Sequence, residues 1–263
     1  MKGDLSVERL TERRTSGING NALRGWALLF AAIGVAGRGI IQHHVLGVGQ
    51  VTTSELMELM NGSSSVMTLV TVSLILQAME TCAVPIFALL VVEGAQHTSD
   101  YKAYMMRTAL MALVCEIPHN LAFGGKLLLT TSRNPVFGVF LSLIMVYFYR
   151  QYAGKELKNI LIKVIVCVAA IVWSKMLEIE FGAAMVLIVT VLWAFRSRAL
   201  YRNMAGAIIT AVCIVFSPFF LAAPMGFLAV FFYNGEKNTT SRLLNYAAYP
   251  AMLILAAVVG VIF

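Results

Sequence analysis

Residues 243–263 run for 21 positions without one charged side chain. At 1.5 Å per residue, a helix of that length covers about 30 Å, the thickness of a bilayer's hydrocarbon core. Residues 23–41 repeat the pattern, with Arg24 and Arg38 near the ends of the run. A soluble core does not need such a length twice. Composition agrees: 59% of the chain is apolar and 13% charged, against about a quarter charged in soluble domains. The expected fold class is therefore all-α, a polytopic transmembrane helical bundle whose first partner is the lipid bilayer.

Hydropathy places spans near residues 23–41, 66–93, 104–124, 136–148, 160–176, 181–195, 204–216, 220–233 and 243–263. That is nine, or eight if two of the shorter runs form one hairpin. The segments between them alternate in basic content. One set holds Lys2, Arg9, Arg13, Arg14 and Arg24, then Lys102 and Arg107, then Arg150, Lys155, Lys158 and Lys163. Arg196, Arg198, Arg202, Lys237 and Arg242 complete it, making 16 of the 20 cations. Only Arg38, Lys126, Arg133 and Lys175 fall in the other set. Cations resist translocation, so the rich set is expected in the cytoplasm, with the amino terminus inside and the carboxyl terminus outside a bacterial inner membrane. The net charge of +7 is spread over five segments rather than gathered on one face, which argues against nucleic acid as a partner.

Residues 1–21 read as a cytoplasmic segment rather than a cleavable signal, since Asp4, Glu8 and Glu12 interrupt its cations. Residues 22–263 read as a single transmembrane domain. Two regions resist a simple crossing. Residues 65–94 are too long for one upright helix and contain Glu80 and Pro85, which predicts a tilted, kinked or interrupted helix. Residues 201–233 carry Pro218 and Pro224 near their middle and return to the side they left. They form either two short spans or a re-entrant hairpin. Cys82, Cys115, Cys167 and Cys213 lie in apolar runs with no C-x-x-C pair, which is the pattern of small buried hydrophobes rather than of a metal site.

Charges at membrane depth are costly, face the bundle interior and often mark function. Arg38 is near a helix end and can snorkel to the interface. Glu80, about one turn before Pro85, can bond a backbone group freed by a kink or serve a site. Glu93 and His97 stand at i, i+4 near the cytoplasmic end of the second span. A carboxylate that orients an imidazole suits a general base, while the plainer reading is an ion pair that orders the loop before Tyr104 and Arg107. Glu116, His119 and Asn120 make a second polar group around Pro118, near the outer end of the third span. His43 and His44 read as interfacial histidines. No phosphate-cradling glycine loop, G-x-S-x-G elbow or HExxH motif is present, so ATP-driven chemistry has no seat in this sequence.

The block Pro85-Ile86-Phe87-Ala88-Leu89-Leu90-Val91-Val92-Glu93-Gly94, followed by His97-Thr98, Tyr104 and Arg107, resembles the TraX family of polytopic membrane proteins. The likeness continues through Glu116-Ile117-Pro118 and Leu121-Ala122-Phe123. Weaker matches are Gly20-Asn21-Ala22-Leu23-Arg24, Asn134 with Val136-Phe137, Tyr233-Asn234-Gly235 and Tyr249-Pro250. There are departures. Gly34-Val35 stand where relatives carry Asp-His, and Glu80-Thr81 where a Gly-Arg is expected. Gly138 replaces a Thr and Met252 a His. Gly, Val and Met cannot accept a proton, so a base at those positions would be lost.

The family's named member is linked to N-terminal acetylation of conjugative pilin. The resemblance therefore implies an acetyl- or acyltransferase acting on a membrane-associated amine or hydroxyl. It would bind no resident cofactor and would use acetyl-CoA or another acyl donor from the cytosol. His97 would be the base and Glu93 its orienter. Arg107, Thr98, Glu116, His119, Asn120 and Glu80 are candidates for donor or substrate binding. The departures imply the alternative of a catalytically degenerate relative, serving as a scaffold, assembly or immunity subunit with a membrane protein or peptide partner. Intramembrane charges and broken helices also fit a secondary transporter, against which stands the lack of a visible inverted repeat.

Overall fold

The computed structural model describes residues 17–47, 53–128, 132–236 and 242–262. Lys2, Arg9, Arg13, Arg14 and Lys237 lie outside the described residues. Eleven α-helices are present among those described. They are α1 (Gly20–Val35), α2 (Thr53–Gly62), α3 (Ser64–Glu80), α4 (Ala83–His97), α5 (Tyr101–Gly124) and α6 (Val136–Gln151). Next come α7 (Leu157–Met176), α8 (Gly182–Ala194), α9 (Ala199–Val212), α10 (Gly226–Phe231) and α11 (Arg242–Ile262). Pairing of strand type is confined, among the described residues, to two isolated bridges, Ile18 with Tyr233 and Arg133 with Ile179. Among the described residues, three units are long and apolar enough to cross a membrane: Gly20–Val45, Ser64–His97 and Leu157–Met176. Val136–Gln151, Gly182–Ala194, Ala199–Val215 and Tyr246–Val259 are shorter apolar helices. The short helix α2 was not expected.

The helix α1 starts where Asn19 accepts a hydrogen bond from the amide of Ala22 at 2.9 Å. It then widens into a π-helix over Ala36–Val45, with Leu46 N–H bonded to Ile41 O at 2.9 Å. Glycines allow the close packing of this segment. A Cβ on Gly37 would lie 2.7 Å from Leu76 Cβ, and one on Gly39 would lie 3.2 Å from the Ala122 carbonyl. The segment thus lies against α3 and α5, and Arg38 points into the bundle.

The 65–94 stretch is interrupted, as expected, and the break falls at Thr81-Cys82 rather than at the proline. Pro85 sits in the first turn of α4, where an amide has no helical partner, and its ring would clash with the carbonyl four residues earlier, at Thr81. Thr81 Oγ1 donates to Ala78 O at 2.7 Å and to Phe219 O at 3.0 Å. Cys82 Sγ donates to Ala222 O at 3.2 Å. Thr81 thus bonds one carbonyl of the broken helix, Ala78 O, and both side chains bond carbonyls of the turns packed against the break, whereas one reading gave backbone bonding there to Glu80.

The same contacts shape residues 201–233. No continuous helix covers residues 220–233. After α9 the chain makes 3₁₀ turns at Cys213–Val215, Pro218–Leu221 and Ala223–Met225, then the six-residue α10. Six residues reach about 9 Å. Phe219 and Ala222 meet the Thr81-Cys82 break, halfway along Ser64–His97, and the chain returns to pair Tyr233 with Ile18. The hairpin enters and leaves at one end of the bundle.

That end also holds the Glu93–Arg202 pair and the bond from Arg150 to Ala95 O. The opposite end holds Arg38, His119, Arg133 and Glu180. Nine of the 13 residues of α8 are buried, and it forms the centre of the bundle among α4, α6, α7 and α9. On the other flank, α11 packs along α5.

Candidate functional site

A cavity of about 320 Å³ lies between α1, α4, α5, α6 and α11. That is within the roughly 300–1,000 Å³ range of small-molecule sites. Arg24, Tyr104, Arg107 and Tyr246 line one end, and these residues lie toward the helix ends that carry the basic loops. Leu28, Phe87, Leu90, Met111, Val139 and Met185 line the middle. Glu80 and Tyr249 line the far end, near the centre of the bundle.

Glu80 is 6% exposed, and no described residue donates a hydrogen bond to its carboxylate. Its seat is made by Gly34. A Cβ on Gly34 would come closer than 3.0 Å to three atoms of the Glu80 side chain. Glu80 and a side chain at position 34 therefore exclude each other, which is a steric reason for the glycine. Thr81 has its own reason, the double bond across the helix break. A Cβ on Gly138 would lie 3.0 Å from Gly182 Cα, so a Thr there would push α6 off α8.

Beyond the cavity, toward the end opposite the basic loops, is a network of ion pairs. Arg38 does not snorkel. Its guanidinium faces Glu180 with both terminal nitrogens, Nη1 to Oε1 and Nη2 to Oε2, the latter at 2.6 Å, and lies 3.8 Å over the Phe123 ring. His119, fully buried, places Nε2 3.1 Å from Glu180 Oε2. Burial in low dielectric favours this arrangement only because each charge has a partner at hydrogen-bond distance. Glu180 had no sequence signal of depth, because it sits in the short link between two apolar runs. Its position is fixed by the bridge of Arg133 to Ile179, in which Arg133 N donates to Glu178 O at 2.9 Å and Glu180 N to Arg133 O at 3.0 Å.

Glu116 belongs to the same end. It accepts from Asn134 Nδ2 at 2.7 Å, from Asn134 N at 3.2 Å and from Arg133 Nη1 at 3.4 Å. Asn134 Nδ2 also donates to Ala112 O at 2.9 Å, which ties the loop before α6 to α5. Asn120 Nδ2 donates to Leu127 O at 3.1 Å. Glu116, His119 and Asn120 therefore hold the turns beside the cavity and do not line it. His43 and His44 stack edge to face, with centroids 4.7 Å apart.

At the basic end, His97 Nδ1 donates to its own helix, to Glu93 O at 2.8 Å, and lies 3.7 Å from Glu93 Oε2. A neutral imidazole so bonded keeps its lone pair on Nε2. The Glu93 carboxylate is shared with Arg202, whose Nη1 donates to Oε1 at 3.3 Å. Arg202, absent from the candidates because it read as one of many basic-loop cations, is buried against Asn203. Thr98 Oγ1 donates to Asp100 O at 3.0 Å, at the start of α5. Neither Glu93, His97 nor Thr98 lines the cavity, whereas Arg107 and Glu80 do. Gly94 has a role in shaping it: a Cβ there would lie 2.8 Å from Tyr104 OH. Among the described residues no group of three or more His, Cys, Asp or Glu side chains could hold a metal ion.

Apolar helices of crossing length, a broken central unit and a polar-ended internal cavity define a helical membrane-embedded protein. Within that class the chain belongs to the TraX family, whose model, described as TraX protein, matches residues 57–260. No curated protein and no solved structure matches the chain significantly.

Proposed function

We propose that this chain is a membrane-embedded acyltransferase that uses the cavity as its reaction chamber. The observation that carries the reading is the chemical gradient along the cavity: two arginines at one end, an apolar middle, and at the other the carboxyl of Glu80, to which no described residue donates. An acyl thioester such as acetyl-CoA has anionic phosphates and a neutral acyl arm. The phosphates suit Arg24 and Arg107, and the arm suits the apolar middle. An amine or hydroxyl of a membrane-associated acceptor attacks the acyl carbon. Glu80 takes the proton of that nucleophile, the bond from acyl carbon to sulfur breaks, and Glu80 returns the proton to the departing thiolate. Because His97 and Glu93 stand outside the cavity, proton acceptance is assigned to Glu80 and not to them.

In the bilayer the reading has seven full crossings, made by the helices from α1 to α8 and by α11, with α3 and α4 counted as one and α2 outside the membrane. The α9–α10 hairpin is re-entrant. The basic loops favour an amino terminus in the cytoplasm of a bacterium, a carboxyl terminus outside, and the arginine end of the cavity toward the cytosolic donor. Labelled acetyl-CoA and a membrane-extract acceptor, with the full chain in vesicles, test this. Glu80→Gln is expected to lower transfer by about 10²-fold or more, Arg107→Ala to raise the donor KM, and His97→Ala to leave the rate near wild type. No transfer by the wild type, or equal transfer by Glu80→Gln, would overturn the assignment.

A second reading is a non-enzymatic scaffold or assembly subunit. It is favoured by the engagement of Glu93 with Arg202 and by the apolar Val35 where relatives carry His. It expects an inert wild type in the same assay and a stoichiometric membrane protein or peptide partner on pull-down.

A further inference from the structure

A second hollow, of about 430 Å³, opens on the side of the bundle between the end of α6, α7 and α8, remote from the cavity described above. Its floor is apolar, from Val164, Val168 and Ile171 on α7 to Leu187 on α8. Lys163 and Arg196 stand at its basic-loop end. From Lys163 to Ile171 the hollow runs about 12 Å along α7, a length over which a hydrocarbon chain can lie. The polar groups in its wall are already partnered: Tyr149 OH donates to Lys163 O at 3.2 Å and Thr190 Oγ1 to Val186 O at 2.8 Å. A polar solute would find little to bond there, whereas an alkyl chain needs no bonds.

The charge near the mouth is mainly positive. Lys163 and Arg196 line it, and Lys155, Lys158 and Arg198 lie in the adjoining segments of the chain, with Glu156 the one acid between residues 150 and 163. Arg196 is held in place, its Nη1 donating to Trp193 O at 2.8 Å and its guanidinium lying 4.4 Å over the Trp193 ring. Lys163 Nζ donates to Gly154 O at 3.1 Å. The helix that forms the outer wall is the least covered of the crossing helices: 11% of the α7 window is buried, against 67% for Ser64–His97. An apolar slot open to the side of the bundle and capped by cations at headgroup level matches an anionic phospholipid.

We propose that this groove is a specific site for an anionic phospholipid of the leaflet that faces the basic loops. Lys163 and Arg196 hold its phosphate, and one acyl chain lies along Val164, Val168 and Ile171. Trp193 lines the groove and reports on its occupant directly. The other two tryptophans, Trp26 and Trp173, can be replaced by Phe. The full chain with Trp193 alone is placed in phosphatidylcholine vesicles, and its fluorescence is quenched with increasing fractions of brominated phosphatidylglycerol or brominated phosphatidylcholine.

Phosphatidylglycerol is expected to half-quench Trp193 at a mole fraction about 25-fold lower than phosphatidylcholine, since each of the two cations near the headgroup contributes roughly fivefold. Lys163→Gln with Arg196→Gln is expected to remove most of that preference, and raised salt to weaken it. Equal quenching of the Trp193 protein by the two lipids overturns the proposal without reference to any groove variant. Quenching by neither lipid, with Val168→Cys cross-linking between two copies, would assign the groove to a second copy of the chain and also overturn it.

Discussion

Gly34 and Glu80 give the sharpest test of the cavity's construction. In Gly34→Ala the new methyl meets not only the Glu80 carboxyl but also its Cβ, closer than 3.0 Å. The tip of a flexible side chain could swing away, but the Cβ moves only with the backbone. Either α3 must shift off α1 or Glu80 must leave its seat. Overpacking of this kind destabilises by about 1–3 kcal/mol. Against it stands the gain of about 1 kcal/mol when Ala replaces Gly inside a helix. With Glu80→Ala in the background the methyl introduced by Gly34→Ala still nears the Cβ of residue 80, while the carboxyl contacts vanish. With Glu80→Gly all three contacts vanish and only the helix gain at position 34 remains. Thermal or denaturant unfolding in detergent of the wild type, the two single variants Gly34→Ala and Glu80→Gly, and their combination forms a double-mutant cycle. Gly34→Ala alone is expected to lower stability, and the same change beside Glu80→Gly to raise it. The coupling is the clash itself, about 1–3 kcal/mol. Equal effects of Gly34→Ala in both backgrounds would refute the claim that the glycine exists to seat the carboxylate.

Other outcomes follow from the same structure. Arg38→Met leaves Glu180 with His119 as its remaining side-chain partner and is expected to cost about 3–5 kcal/mol in unfolding free energy, part of it restored by replacing Glu180 and His119 together with Leu. Asn134→Ala removes the bonds to Ala112 O and the Glu116 carboxylate and should destabilise by about 1–3 kcal/mol in the same unfolding assay. Tyr101→Phe removes a 2.7 Å bond to Leu143 O and should lower stability by about 1 kcal/mol. In a chain freed of its own cysteines, Lys155→Cys is expected to react with an impermeant thiol reagent from the side opposite to Leu127→Cys, which would check the orientation read from the charges.

How far the residues speak for themselves depends on the range of the interaction involved. The helix break near Pro85 was legible because a proline constrains its own helix within four residues. Its placement at Thr81-Cys82 follows from the same rule, whereas the partners that stabilise it, Phe219 O and Ala222 O, lie about 140 positions away. The hairpin at 201–233 was legible as an irregularity from its prolines. Its short turns and their contacts with Thr81 and Cys82 came only from the packing against α3 and α4. The Glu93–His97 spacing was visible at i, i+4, but Arg202, which draws the carboxylate aside, comes from α9. Arg38 looked like a side chain that reaches for the interface, and Glu180, between two apolar runs, gave no sign of being its partner.

The 21 charge-free residues that end the sequence, the other apolar runs and the uneven distribution of cations suffice to determine a helical membrane protein and which segments share an end. Those properties depend on transfer between water and hydrocarbon, which each segment feels independently of its neighbours. Whether a charged residue lines a cavity, ties two loops together or faces the lipid was decided by the tertiary structure. That choice depends on which helix packs opposite, on a glycine such as Gly34 making room, and on partners distant in the chain.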